Sequence, residues 1–266
     1  MKKIYLIILS LAFFTACEKK IDQFAPNANG VDFSKFVSVG NSLTAGYADG
    51  ALYNGSMIGQ DASIPNIIAN QLKSVGNLGF TQPLMPNSDG VGFQFMPGLG
   101  FYYYNKHVLK IVPDKDCFGQ PVGTASLKPA FLVDNPDQAA LQANLFTPVA
   151  SRPNNMGVPG ATVQSLFYNR LGDPTPDGHP FNPYFVRFAS APNARIIEDA
   201  IAQHPTFFYL WIGNNDVLAS ALEGTDALMT PVDTFALYYN MAVGAFFAGG
   251  ASPKGVLANM PDITCI

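Results

Sequence analysis

Ser42 lies just after a run of strand-forming residues, in the stretch FVSVGNSLTAGY at positions 36–47. One interpretation is an ordinary surface turn, because Gly, Asn and Ser are common turn residues. The other is a nucleophile presented at the end of a buried strand. A serine hydroxyl attacks an acyl group when a base takes its proton and hydrogen-bond donors stabilise the oxyanion that forms. The stretch alone leaves both interpretations open.

Two further segments carry small and amide residues that could supply such donors: residues 155–162 (NMGVPGAT) and residues 213–216 (GNND). The first precedes a segment that we predict to be helical, and the second follows an aromatic, strand-forming run, TFFYLWIG. Because sites in parallel sheets form at the carboxyl ends of strands, we expect both segments to lie near Ser42. Each also has a structural explanation of its own. Gly160 permits a turn, and Asn215 with its neighbours can cap the following helix.

Strand and helix patterns alternate along the chain. The apolar spacing of Ile64, Ile67, Ile68 and Leu72 is typical of a helix, and Ser63 before it is a candidate cap. The other predicted elements are a first strand at 36–40, helices at 161–169, 193–202 and 232–247, and strands at 206–213 and 255–260. This alternation predicts an α/β sandwich with a mostly parallel sheet.

The predicted domain occupies residues 31–266, and its middle part departs from the alternating pattern. Residues 76–152 are rich in Gly, Pro and Asn and contain the aromatic run FQFMPGLGFYYY. Because long structureless loops are uncommon inside compact domains, we expect an insertion at about 76–152 with small strands of its own.

Three short blocks, Gly40–Leu43, Asn155–Thr162 and Gly213–Asp216, resemble three of the four sequence blocks of the SGNH (GDSL-like) hydrolases, in that family's order. The resemblance covers Phe36 to about Asp262, apart from the inserted middle. It implies a three-layer α/β/α sandwich with a flavodoxin-like sheet. It also implies a serine esterase or lipase that acts on lipid or acylated-glycan esters without a cofactor or a metal.

The same resemblance implies a role for three residues. Ser42 is the acyl-accepting nucleophile in this comparison. The backbone N–H groups of Ser42 and Gly160 and the side-chain amide of Asn215 are the oxyanion donors. A glycine suits position 160 because the backbone can then approach the substrate closely. A neutral amide suits position 215 because it adds no charge that would hold the ground state equally well.

The chain departs from the family pattern in two places. Asn41 stands where the family name implies Asp, which is a mild change. The Asp-x-x-His block that supplies the general base is absent, so the base is unknown. His204 lies about 25 Å from Asn215, at the wrong end of a predicted strand, and His107 and His179 lie in loops that the sequence does not place.

The missing block has two explanations. Either the C-terminal part of the domain is missing from a longer hydrolase, or the chain is a natural form that has lost turnover. The alternative to an esterase is therefore a non-catalytic surface lipoprotein that binds glycan or lipid in the same cleft.

The first 17 residues are predicted to be a lipoprotein signal peptide. Lys2 and Lys3 precede an apolar run that is too short to span a bilayer, and the segment FTAC ending at Cys17 resembles a bacterial lipobox. Acyl chains on Cys17 would anchor the protein to a membrane of the bacterial cell envelope, with residues 18–30 as a tether. An ordinary secretory signal with an incidental cysteine is the alternative.

Composition and charge exclude several other classes. The formal net charge is −4, and removal of the signal makes it more negative, so nucleic acid is a poor partner. The sequence contains no HExxH-like or CxxC pair for zinc, no P-loop, and no G-x-G-x-x-G after a strand. Cys117 and Cys265 could pair in an exported protein or remain free.

Overall fold

The computed structural model describes residues 25–96, 100–250 and 252–261. The strands in these residues are β1 (Phe36–Gly40), β2 (Gly92–Met96), β3 (Gly100–Tyr104), β4 (His107–Lys115), β5 (Pro121–Phe131), β6 (Asn155–Gly157), β7 (Phe207–Trp211) and β8 (Lys254–Leu257). The α-helices are α1 (Ser42–Ala45), α2 (Ile64–Leu72), α3 (Gln138–Leu145), α4 (Pro183–Val186), α5 (Ile196–Ile201), α6 (Asn214–Glu223) and α7 (Val232–Ala245).

A four-stranded sheet in the order β6-β1-β7-β8 forms the centre of the fold. Each neighbouring pair in it is parallel. In chain order, its strands therefore run second, first, third, fourth across the sheet. The predicted α/β class with a parallel sheet is confirmed.

The central strand β1 is buried along its whole length, as expected for a strand of a parallel sheet that is covered on both faces. Because side chains alternate along a strand, its residues contribute to two separate apolar clusters. Val37 and Val39 pack in one cluster with Ile196 of α5. Phe36 packs in another with Ala69 of α2.

Residues 76–152 contain two antiparallel hairpins, β2–β3 and β4–β5, and the helix α3. The hairpins form sheets separate from the parallel sheet. Aromatic residues of the first hairpin nevertheless reach the rest of the fold, since Phe93 lies 5.3 Å from the ring of Tyr184. Both belong to the cluster that buries Ala45 of α1. This middle part of the chain thus packs against the short helix on which Ser42 lies.

Two predicted helix features differ from the structure. The helix expected at 161–169 is only a 3₁₀ turn at Gln164–Phe167. Here Thr162 and Ser165 bond each other's backbone N–H groups through their hydroxyls, which competes with helical hydrogen bonding. Ser63 precedes α2 but makes no side-chain cap, because its hydroxyl donates to Gln82 Oε1 at 2.8 Å.

The predicted signal peptide with Cys17, and most of the predicted tether, lie outside the described residues, as does Cys265. Cys117 is exposed and free. Within the described ranges, none of the helices has both the length and the apolar character that crossing a bilayer requires.

Candidate active site

The three predicted site segments follow strands that end at the same level. In the parallel sheet, Gly40 at the end of β1 pairs with Gly157 at the end of β6 and with Trp211 at the end of β7. The chain continues from these ends into the segments that carry Ser42 and Gly160 and, after β7, into α6. The segments therefore lie at one edge of the sheet, where ligands bind in open α/β folds.

Ser42 is the first residue of α1 and is half-buried. The fully buried Asn41 caps this helix, because its Oδ1 accepts a hydrogen bond from the N–H of Leu43 at 3.0 Å. No described residue hydrogen-bonds to the hydroxyl or the backbone N–H of Ser42. The N–H is one of the donors that a helix leaves unpaired in its first turn, so it can bind an oxyanion.

Close packing of strand on helix holds α1 in place. A Cβ on Gly157 would lie 2.7 Å from the carbonyl carbon of Thr44 in α1, and a Cβ on Gly40 would lie 2.8 Å from the Cβ of the same residue. Both distances are shorter than real Cβ contacts, so these positions require glycine. The sequence pattern indicated no role for Gly157.

Amide side chains join the three segments. Asn41 Nδ2 donates to Asn214 Oδ1 at 2.8 Å, which connects the Ser42 segment to the start of α6. Asn215 Nδ2 donates to the carbonyl oxygen of Ala161 at 2.8 Å, which connects α6 to the residue after Gly160. This bond uses one of the two amide hydrogens of Asn215, and the second remains available for a ligand. An amide at position 41 is a donor here, which an ionised Asp would not be.

Gly160 forms a turn with a positive φ of 82° and is exposed. Its neighbour Pro159 accepts a hydrogen bond from Asn182 Nδ2 at 2.7 Å. The backbone N–H of Gly160 forms no hydrogen bond with a described residue. The hydrogen bond from Asn182 thus holds the Gly160 turn in place, while the N–H of Gly160 remains available to a ligand.

Two buried polar residues support the site, and the sequence indicated no such role for either. Asn155 is fully buried, and its amide donates to the carbonyl oxygen of Thr44 in α1 at 2.9 Å. Asp216 is 1% exposed and accepts from the N–H of Val163 at 3.0 Å and from the Thr230 hydroxyl at 2.9 Å. Burial raises the pKa of Asp216. Both residues lie inside the sequence blocks that resemble the SGNH family, but that resemblance assigned roles to other positions in those blocks.

No family model, no curated protein and no solved structure matches the chain. The roles of Ser42, Gly160 and Asn215 therefore remain predictions, and so does the family. What the structure adds is the joining of their segments at one sheet edge.

His179 lies in a charged loop, residues 170–179, together with Arg170, Asp173 and Asp177. Its Nδ1 contacts Asp177 Oδ1, and its Nε2 lies 2.9 Å from the carbonyl oxygen of Asp173. Arg170 binds both carboxylates, at 3.0 Å to Asp173 and 2.7 Å to Asp177. Since a carboxylate and a carbonyl oxygen are both acceptors, this arrangement favours the ring form in which both nitrogens carry a proton. In this arrangement His179 has no free lone pair with which to act as a base.

The other two histidines form no hydrogen bond with Ser42 either. His107, which was expected in a loop, is the first residue of β4; its Nδ1 lies 3.2 Å from the carbonyl oxygen of Asp49, and its ring stacks on Phe131 at 4.7 Å. His204 precedes β7, at the amino end of the sheet, as the sequence predicted. Among the described residues, His, Cys, Asp and Glu form no group of three or more that could hold a metal ion.

The charged loop predicts a pH dependence. The hydrogen bond to Asp177 raises the pKa of His179 above its usual 6.5. A raised pKa in the folded state means that this pairing stabilises the loop fully below pH 6.5 and is lost as the pH rises through the higher value. We expect the His179 Cε1 proton to titrate above 6.5 in an NMR experiment, and the Asp177→Asn variant to titrate lower. Equal values in the two proteins would contradict the pairing.

Proposed function

We propose that this protein is a serine ester hydrolase that acts on acyl esters of lipids or glycans. The observation that carries the proposal is the pair of amide hydrogen bonds, from Asn41 to Asn214 and from Asn215 to Ala161, that joins three distant segments at one sheet edge. Surface turns that merely connect elements have no need of such cross-links. The SGNH-like order of the blocks agrees with this geometry.

The chemistry follows from the donors and the hydroxyl. Ser42 Oγ attacks the ester carbonyl carbon while its proton passes to a base, and the carbonyl π electrons move onto oxygen. The N–H groups of Ser42 and Gly160 and the second amide hydrogen of Asn215 would stabilise that oxyanion, each by about 3 kcal/mol. Collapse expels the alcohol as it takes up the proton, and water then hydrolyses the acyl-serine.

A flavodoxin-like, three-layer fold fits this proposal. The strand order β6-β1-β7-β8 is compatible with the flavodoxin-like order, in which the first strand is flanked by the second and the third. The two clusters on opposite sides of β1, one with α5 and α7 and one with α2, support helical layers on both faces.

The second candidate is a non-catalytic protein that binds glycan or lipid at the same edge. One observation favours it: within the described residues no group accepts the Ser42 proton, and both nitrogens of His179 are occupied. The general base is accordingly left unassigned in our proposal.

Fluorophosphonate labelling separates the two candidates, because the probe reacts with activated serines and not with ordinary ones. The protein is labelled in the membrane fraction of cells that produce it, and the modified residue is mapped by mass spectrometry. We expect the adduct on Ser42. No adduct on Ser42, with ligand binding retained, would favour the binding protein.

The lipid anchor is a separate part of the proposal and rests on the sequence around Cys17. Cys17→Ser removes the thiol that would carry the acyl chains, so we expect the protein to move from the membrane fraction to the soluble fraction. Cys117→Ser is the matched control, since Cys117 is exposed and free, and should stay with the membranes. An unchanged membrane fraction for Cys17→Ser would count against lipidation.

A further inference from the structure

A cavity of about 320 Å³ lies beside the Gly160 turn. Its lining includes three polar residues from the chain just after this turn: Thr162, Gln164 and Ser165. It also includes three aromatic residues, which come from the 3₁₀ turn, its end and α7: Phe167, Tyr168 and Tyr238. None of the described residues that line the cavity is charged.

The cavity adjoins the proposed oxyanion site along the chain. Thr162 is two residues beyond Gly160, a span of at most about 7 Å. The carbonyl oxygen of Ala161, which lies between them, accepts a hydrogen bond from the Asn215 amide. The N–H of Val163, the residue after Thr162, donates to the buried carboxylate of Asp216. The chain that carries the polar lining residues is therefore anchored to α6 by these two bonds.

The lining residues suit a polar ring. The Phe167 and Tyr238 rings lie 5.6 Å apart at 45° and offer apolar surface. The side chains of Gln164, Tyr168 and Tyr238 form no hydrogen bond with a described residue. The amide and the two hydroxyls thus keep their hydrogen-bonding capacity for a ligand.

We propose that this cavity binds the sugar ring of an acylated glycan, an inference that rests on the proposed ester hydrolysis at Ser42. An alkyl chain would leave the amide and hydroxyls without partners, which costs free energy. An anionic lipid headgroup would meet no cation in the lining. A neutral sugar suits this lining, because its hydroxyls can pair with the Gln164 amide and the two tyrosine hydroxyls while its C–H face packs on the rings. The volume is at the lower end of ligand pockets, which suits a single ring.

Binding of sugars that carry no ester tests the cavity independently of hydrolysis. The probes are the methyl glycosides of glucose, galactose, xylose and N-acetylglucosamine, with 1-hexanol as an alkyl probe, followed by saturation-transfer NMR on the full chain. We expect at least one glycoside to bind. Gln164→Ala and Tyr238→Phe each remove one hydrogen-bonding group and should weaken that binding about fivefold. Gln71→Ala, an exposed glutamine on α2, is the matched control and should bind normally.

Each outcome bears on a different claim. If no glycoside binds, or if the two cavity variants bind it as well as the unchanged protein, the sugar site is wrong. If hexanol binds instead and only its binding responds to the variants, the occupant is an alkyl chain. Glycoside binding without any Ser42-dependent hydrolysis of p-nitrophenyl acetate would retain the cavity and refute the proposed reaction.

Discussion

Ser42→Ala is expected to lower the hydrolysis of short p-nitrophenyl esters by at least about 10³-fold, because no other group can form the acyl intermediate. The fold should not change. Ser42 is half-buried and its hydroxyl makes no hydrogen bond with a described residue, so the substitution removes no hydrogen bond. Steady-state kinetics on purified protein measures the first effect, and thermal unfolding the second.

The matched control for this variant is Ser88→Ala, because Ser88 is exposed in the loop before β2 and hydrogen-bonds to no described residue. Its hydrolysis rate should equal that of the unchanged protein. Retained turnover in Ser42→Ala would remove Ser42 from its role. If the unchanged protein hydrolyses none of these esters, the non-catalytic interpretation is favoured.

Asn215→Ala is the prediction with the second-largest expected effect. Loss of one oxyanion donor typically lowers kcat by about 10²–10³-fold, with little change in KM, because the donor acts on charge that develops in the transition state. The Asn215 amide also donates to the carbonyl oxygen of Ala161. The variant therefore also loses the hydrogen bond to Ala161, and we expect its free energy of unfolding to fall by about 1 kcal/mol.

Two measurements separate these contributions. Asn193→Ala, an exposed asparagine in the loop before α5, is the matched control and should keep both rate and stability. If kcat of Asn215→Ala falls by much more than the loss of stability can explain, the role of Asn215 as an oxyanion donor is supported. A higher KM and a lower stability with an unchanged kcat would show that Asn215 has only a structural role.

The roles of the supporting residues could not be predicted from the sequence. Asn155 and Asp216 each lie inside a recognised block, yet their importance depends on partners far along the chain, Thr44 and Val163. The same is true of Gly157, whose missing Cβ matters only because α1 packs on β6. One-dimensional patterns report spacing within an element and carry little information about which distant groups meet.

Local errors had a similar origin. The segment after Gly160 contains enough helix-forming residues to suggest a helix, but Thr162 and Ser165 satisfy each other's N–H groups and leave only a 3₁₀ turn. His179 was unplaced in the sequence because nothing in PDGH indicates that Arg170 gathers both neighbouring carboxylates around it.

The sequence by itself determined the α/β class, the parallel strands and the position of three small-residue segments after or near strand ends. These follow from apolar periodicity and turn chemistry, which act between neighbours in the chain. Tertiary structure alone decided that hydrogen bonds join these segments at one edge and that a cavity opens beside the Gly160 turn. It also decided that both ring nitrogens of His179 contact groups of the charged loop. Such features depend on the register and packing of strands more than a hundred residues apart, because β1 pairs directly with β6 and β7.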